Sequence, residues 1–289
     1  MKIVHKIDDV RFEIRKFKAA GKRIGFVPTM GFLHKGHISL VSIAKENSDF
    51  IVMSIFVNKL QFNDINDFNK YPKDLEQDII AAETGGVDLL FIPDDREMYQ
   101  NNLTTVNVSL LTKNLCGAHR EGHFEGVFTV VSKLFNIVQP DIAVFGQKDI
   151  QQAVSIEKMV HDMNFPIHII IAPIVRENSG LAMSSRNKNL SEKHRSDGLA
   201  LSRSLGECKK MIASGNVDAK EITNAMQSVI ENGNPDKIDY ISIVRYSDLS
   251  YVDTIEEKCV AAVAAFWGDT RLIDNMVIDK NDNGFICIY

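Results

Sequence analysis

Five short apolar runs, at residues 24–27, 51–57, 87–92, 142–145 and 167–172, alternate with stretches of helical spacing. The runs are rich in Val, Ile and Phe and nearly uninterrupted, as strands buried on both faces must be. The stretches 38–46, 75–82, 127–138 and 150–163 repeat apolar residues every three or four positions, which gives a helix one apolar face. Such alternation is satisfied by a parallel sheet with helices on both faces. Right-handed crossovers make it doubly wound. The expected class is therefore α/β, with this sheet domain over residues 1–173.

After residue 173 the pattern changes. Helical stretches at 191–214 and 218–232 are each followed by a glycine, Gly215 and Gly233, expected to stop them in the left-handed conformation. Strand-like runs follow at 238–244, 258–266 and 271–278. Residues 174–289 are thus expected to form a smaller α+β domain. A polar excursion at 93–125 interrupts the first domain, with one further strand expected at 105–110.

Composition excludes several classes of function. The 33 basic and 38 acidic residues leave a net charge of −5, which gives little attraction for nucleic-acid phosphates. Cys116, Cys208, Cys259 and Cys287 stand far apart, so there is no paired zinc or redox motif, and scattered thiols fit a reducing compartment. No apolar stretch approaches the roughly 18 residues of a membrane span. Asp8 and Asp9 fall where a signal peptide would carry its apolar core. A cytoplasmic protein with no membrane and no nucleic-acid partner is expected.

Ligands of a doubly wound sheet bind at the carboxyl ends of its strands. The segments at 28–37, 58–71, 146–149 and 173–186 lie there and hold most of the unusual polar residues. The first reads Pro-Thr-Met-Gly-Phe-Leu-His-Lys-Gly-His, between a strand and a helix. A helix start offers free N–H groups and positive potential to phosphate, and Gly31 and Gly36 allow close backbone approach. His34 and His37 can then donate hydrogen bonds to charge growing on an α-phosphate. A zinc site from His34, His37, His119 and His123 lacks both a cysteine partner and the HExxH spacing.

The second segment, Gly146-Gln147-Lys148-Asp149, again lies between strand and helix; Lys148 can reach a phosphate and Asp149 can cap the helix. The third, 180–186, puts Ser184, Ser185 and Arg186 on a glycine-containing loop suited to phosphate. Gln61 and Gln152 are neutral amides that can orient a hydroxy acid while leaving its carboxylate nucleophilic. The stripe Val127, Val130, Val131 and Leu134 is expected to be core.

The blocks 28–37, 54–62, 71–78, 122–152, 174–187 and 271–275 together resemble the pantoate–β-alanine ligase (pantothenate synthetase) family of His-x-Gly-His nucleotidylyltransferases. The resemblance implies a Rossmann-like domain with a small C-terminal lid, usually in a homodimer. It implies formation of pantoyl adenylate from (R)-pantoate and ATP, with Mg²⁺ accompanying the nucleotide, and then attack by β-alanine. It implies ATP contacts from Met30, Gly31, Phe32, Leu33, His34, Lys35, Gly36, His37, Gly146, Gln147, Lys148, Asp149, Val175, Met183, Ser184, Ser185 and Arg186. Of these, His37, His34, Lys148 and Arg186 carry the chemistry. Gln61 is implied for pantoate and β-alanine, and Gln152 for pantoate. Lys59 and Glu121 stand where the family commonly has proline. Asp74 and Asp78 are candidate magnesium ligands, and a strand edge such as 51–56 is a candidate dimer contact. Three other readings share parts of this pattern: an adenylyltransferase for a phosphate-bearing acceptor, a tRNA synthetase fragment, and an inactive scaffold.

Overall fold

The computed structural model describes residues 1–63, 65–281 and 284–289. Residue 64 lies outside them, and in the Asn- and Asp-rich stretch at 63–69 the residues from 65 on are helical. The described residues divide into two compact units. Unit 1 is Met1–Ser109, Gly117–Gly146 and Ser155–Ala172; unit 2 is Leu110–Cys116, Gln147–Val154 and Pro173–Tyr289. The long C-terminal part of unit 2 begins at Pro173. Two short segments, at 110–116 and 147–154, group with the C-terminal residues.

The elements up to residue 172 are β1 (Lys2–Val4), α1 (Ile7–Ala19), β2 (Ile24–Thr29), α2 (Lys35–Asn47), β3 (Phe50–Ile55), α3 (Ile65–Lys70), α4 (Leu75–Gly85), β4 (Leu89–Phe91), α5 (Asp95–Tyr99), α6 (Cys116–His119), α7 (His123–Val138), β5 (Ile142–Gly146), α8 (Ile150–Asp162) and β6 (His168–Ala172). The six strands form one parallel sheet in the order β1-β4-β3-β2-β5-β6. All six residues of β3 are buried, as its unbroken apolar sequence requires. Val127, Val130, Val131 and Leu134 of α7 are buried as expected.

Two expectations are corrected here. Residues 105–110 form no strand; Val106 N–H is held instead by Thr129 Oγ1 at 3.0 Å. Residues 51–56 offer no strand edge for a partner, because β3 is paired on both sides, to β2 and β4. The edges of this sheet are β1 and β6.

Strand order locates the ligand site. From β2 the chain winds to β3 and β4 on one side, then returns to place β5 and β6 on the other. The switch point is between β2 and β5, whose ladder is Gly25↔Ile142 and Phe26↔Ala143. Each strand runs on for three residues past this ladder, to Thr29 and Gly146. A sheet that reverses its winding opens a crevice there.

Unit 2 contains α9 (Glu192–Asp197), α10 (Ala200–Ala213), α11 (Ala219–Glu231), β7 (Lys237–Arg245), β8 (Cys259–Trp267), β9 (Thr270–Asn281) and β10 (Gly284–Ile288). The strands form an antiparallel sheet ordered β10-β9-β8-β7. Leu201, Leu205, Cys208 and Ile212 of α10 and Ile222, Met226 and Ile230 of α11 share one apolar core with Val263, Leu272 and Met276. The helix expected at 191–214 is two helices, broken at Gly198 and Leu199. Gly215 takes φ +89° as expected. After α11 the left-handed residue is Asn234, φ +45°, and Gly233 answers to packing: a Cβ there would lie 2.5 Å from Ala200 Cβ.

Candidate active site

In unit 1 the chain leaves β2 and turns sharply before α2. Gly31 and Phe32 both take positive φ, +81° and +51°. Asp78, buried on α4, fixes this turn: its Oδ2 accepts from Phe32 N–H at 2.8 Å and its Oδ1 from Leu33 N–H at 2.6 Å. Burial pushes the Asp78 carboxyl up, and the two N–H donors pull it back. A Cβ on Gly31 would lie 2.8 Å from Asp78 Oδ2, so the turn also needs glycine for space.

α2 then starts with an imidazole capping box. His34 Nδ1 accepts from Gly36 N–H at 3.1 Å, and His37 Nδ1 accepts from His34 N–H at 3.2 Å. The two rings lie 4.0 Å apart between centroids. A ring nitrogen that accepts a backbone N–H carries no proton, so each neutral imidazole bears its hydrogen on Nε2. Two N–H donors thus stand at the positive end of a helix dipole. Lys35 is exposed; Met30, Phe32, Leu33 and Gly36 are intermediate in exposure, and Gly31 is buried.

The amide Gln61 is oriented by a network that sequence reasoning missed. Gln61 ends a 3-10 turn, Lys59–Gln61, and is buried. Asn58 Nδ2 donates to Gln61 Oε1 and to Gly126 O, both at 3.0 Å. Asn58 Oδ1 accepts from Tyr99 Oη at 2.6 Å, and burial pushes that phenol well up, so it stays a donor. Gln61 Nε2 donates to Met30 Sδ at 3.2 Å, linking the amide to the first motif. His123 Nδ1 donates to Gln61 O at 2.7 Å, while Arg120 donates to His123 Nε2 at 3.3 Å. His123 is therefore the opposite tautomer to His34 and His37. A Cβ on Gly126 would lie 2.4 Å from Leu60 backbone, so only glycine lets α7 approach this turn. The Lys59 charge is met by Asp95 at 3.4 Å, and Glu121 O accepts from Asn63.

In unit 2, Gln147–Asp149 form a 3-10 turn running straight into α8. Asp149 ends this turn, directly before the first residue of α8. Lys148 Nζ lies 3.9 Å from Asp149 Oδ2 and keeps about a fifth of its side chain exposed, 21%. The Gln147 side chain is buried and donates to Asn275 Oδ1 and Ile288 O, at 3.3 and 3.2 Å. Gln152, in the first turn of α8, is intermediate in exposure; its neighbour Gln151 is buried and anchors residues 110–116 through Leu111 O and Asn114 O.

The segment from Val175 to Arg186 begins as a small hairpin. Arg176 bridges Ala182, Glu177 N–H donates to Leu181 O, and Met183 N–H donates to Val175 O. Arg176 grips Asp274 with both terminal nitrogens, at 2.6 and 3.0 Å. Glu177 accepts from Asn187 and Arg195. Ser184 Oγ caps a 3-10 helix, Ser185–Asn189, by accepting from Arg186 N–H. A hydroxyl that accepts in this way still has its O–H to donate. Unit 1 thus joins residues 30–37 to Gln61 through Met30, and unit 2 holds Gln147–Asp149 in one turn and Val175 with Met183 in the hairpin that leads into Ser184–Arg186.

Among the described residues no group of three His, Cys, Asp or Glu side chains suits a metal ion. Asp78 has each oxygen engaged by a backbone N–H, and Asp74 caps α4 by accepting from Gln77 N–H. His123, a member of the zinc alternative, has both ring nitrogens engaged. No helix among the described residues is long and apolar enough to cross a membrane.

A family model described as Pantoate-beta-alanine ligase matches residues 2–277. A pantothenate synthetase of a Thermoanaerobacter species is 52% identical over 282 residues, 97% of this chain and 100% of the relative. One from Acetivibrio thermocellus is 48% identical over 280 residues, 96% and 100% of the two chains. The crystal structure of pantothenate synthetase from Thermus thermophilus superposes with a TM-score of 0.90 at 39% identity, covering 95% of this chain and 98% of that one. That of the Francisella tularensis pantoate-beta-alanine ligase, complexed with beta-gamma ATP and beta-alanine, gives 0.78 at 36% identity, covering 95% and 97%. With a match over nearly the whole chain and relatives near half identity, the chain belongs to the pantoate–β-alanine ligase family.

Proposed function

We propose that this chain condenses (R)-pantoate with β-alanine, using ATP, through a pantoyl-adenylate intermediate. The observation that carries the reading is the imidazole capping box beside the switch point of the sheet. In the first step the pantoate carboxylate attacks the α-phosphorus and pyrophosphate leaves. Nε2–H of His37, with His34 beside it, donates to the phosphate oxygen on which charge grows. Lys148 and the Ser184–Ser185–Arg186 run balance the charge of the phosphates. In the second step the β-alanine amine attacks the acyl carbon and AMP leaves, carrying the bonding electrons on its phosphate oxygen.

Residues Met30 to His37, Gly146 to Asp149, Val175 and Met183 to Arg186 form the nucleotide site of this proposal. Gln61 and Gln152 hold pantoate, and Gln61 also faces β-alanine. Neutral amides suit this role: an arginine on the carboxylate would lower its nucleophilicity. ATP enters as its magnesium complex, the ion held by phosphates and water as Mg²⁺ prefers. A homodimer in the cytoplasm completes the proposal. The test is pyrophosphate release with ATP, magnesium and pantoate, with and without β-alanine, alongside His37→Ala. Release that requires pantoate, followed by AMP on adding β-alanine, supports the reading. Release only with a phosphate-bearing acceptor replaces it with the related adenylyltransferase chemistry.

A further inference from the structure

The nucleotide segments of unit 2 converge on two adjacent residues of β9. Asn275 Nδ2 donates to the carbonyls of Gln147, at 2.9 Å, and Lys148, at 3.0 Å, while its Oδ1 accepts from Gln147 Nε2. Asp274 holds Arg176, whose NH1 also donates to Gly180 O at 3.1 Å inside the hairpin. Successive strand residues face opposite ways. Asp274 therefore shares the face of Leu272 and Met276, which pack in the helix-covered core, and Asn275 takes the other face. Both side chains are almost wholly buried, at 3% and 2% exposure, so any effect on a ligand passes through the groups they hold.

We infer that Asp274 and Asn275 are positioning residues for the nucleotide site: one strand sets the Lys148 turn and the 175–186 hairpin in a common register. The inference rests on the ligase reading above. The side-chain types fit the task. Two carbonyls facing the same point need a double N–H donor, which Asn supplies and Asp does not. A guanidinium at the root of a hairpin needs a carboxylate that engages both of its ends.

The experiment is a double-mutant cycle on pyrophosphate release, using wild type, Asn275→Ala, Lys148→Ala and the double variant, with circular dichroism as the folding check. Asn275→Ala should lower kcat/KM for ATP by about 10²-fold, the scale of an ångström misplacement, and leave KM for pantoate within about twofold. The double variant should be no slower than Lys148→Ala by more than about twofold, because Asn275 acts through Lys148. Multiplying losses, or an Asn275→Ala enzyme as fast as wild type while Lys148→Ala is slow, overturns the inference and leaves the ligase reading standing. A wild type that releases no pyrophosphate overturns both. If Asn275→Ala does not fold, Asp274→Asn with Arg186→Ala forms the cycle, and the same two results decide.

Discussion

The turn before α2 and the hairpin at 175–186 both belong to the proposed nucleotide site, yet opposite chemistry holds them. The turn rests on a buried carboxylate that accepts two backbone N–H groups, and on imidazoles that cap a helix. The hairpin rests on ion pairs, Arg176 with Asp274 and Arg195 with Glu177. Backbone-anchored hydrogen bonds fix geometry to within one conformation and respond little to salt. Ion pairs with partly exposed members, such as Arg195 at 38%, are screened by salt and easily remade. The first motif thus rests on hydrogen bonds to backbone, and the second on one buried ion pair, Arg176 with Asp274, and one partly exposed pair, Arg195 with Glu177.

Breaking the ion-paired side should have the largest effect on stability. Arg176→Ala leaves Asp274 buried without its cation, at a cost of about 3–5 kcal/mol in urea unfolding; adding Asp274→Asn should recover part of it. A loss under about 1 kcal/mol would place this pair with ordinary surface pairs. On the backbone-anchored side, His37→Ala should slow pyrophosphate release about 10²–10³-fold with a much smaller change in Tm. Equal losses in rate and stability would make His37 a cap alone.

Gly31→Ala sharpens the contrast further. A methyl group 2.8 Å from Asp78 Oδ2 on a residue at φ +81° should cost about 1–3 kcal/mol by chemical unfolding. A neutral result would mean that the turn can relax. The dependence on pH is smaller. Burial raises the Asp78 carboxyl above its unfolded value, so its contribution is full below the unfolded value and is lost as pH rises through the folded one. The stability of wild type relative to Asp78→Asn should therefore fall across that window, and the opposite slope would mean that the N–H donors outweigh burial. With no energetic change at all, long-range ¹⁵N–¹H spectra should show Nε2–H tautomers for His34 and His37 and the Nδ1–H tautomer for His123.

The parallel sheet was legible because its strands are unbroken apolar runs, and the motif loops were legible because they follow those runs. β1, only three residues long, has too little pattern to register, and β10 reads Gly-Phe-Ile-Cys-Ile, too short to separate from a tail. Residues 105–110 carry β-branched residues that suggested a strand, but Thr129 holds their backbone instead. The residues that orient the site were harder to find. Asn58, His123 and Gly126 sit inside blocks that carried the resemblance, as do Asp274 and Asn275, yet nothing local marks them. Their roles exist only through partners such as Gln61 and Gln147, distant in sequence or of ordinary type. Asp78 was noticed for its charge, and its partners prove to be backbone N–H groups.

The imidazole cap sets the two tasks of one turn against each other. Ser, Asp and Asn are the preferred residues at the first position of a helix, and histidine stands there at residue 34. A library of variants sorted only for resistance to heat or protease should therefore drift away from histidine at this position. Its winners would be sturdier proteins that have lost an Nε2 donor, so on the proposed role of the imidazoles His34 marks where selection for turnover holds the chain below its best attainable stability.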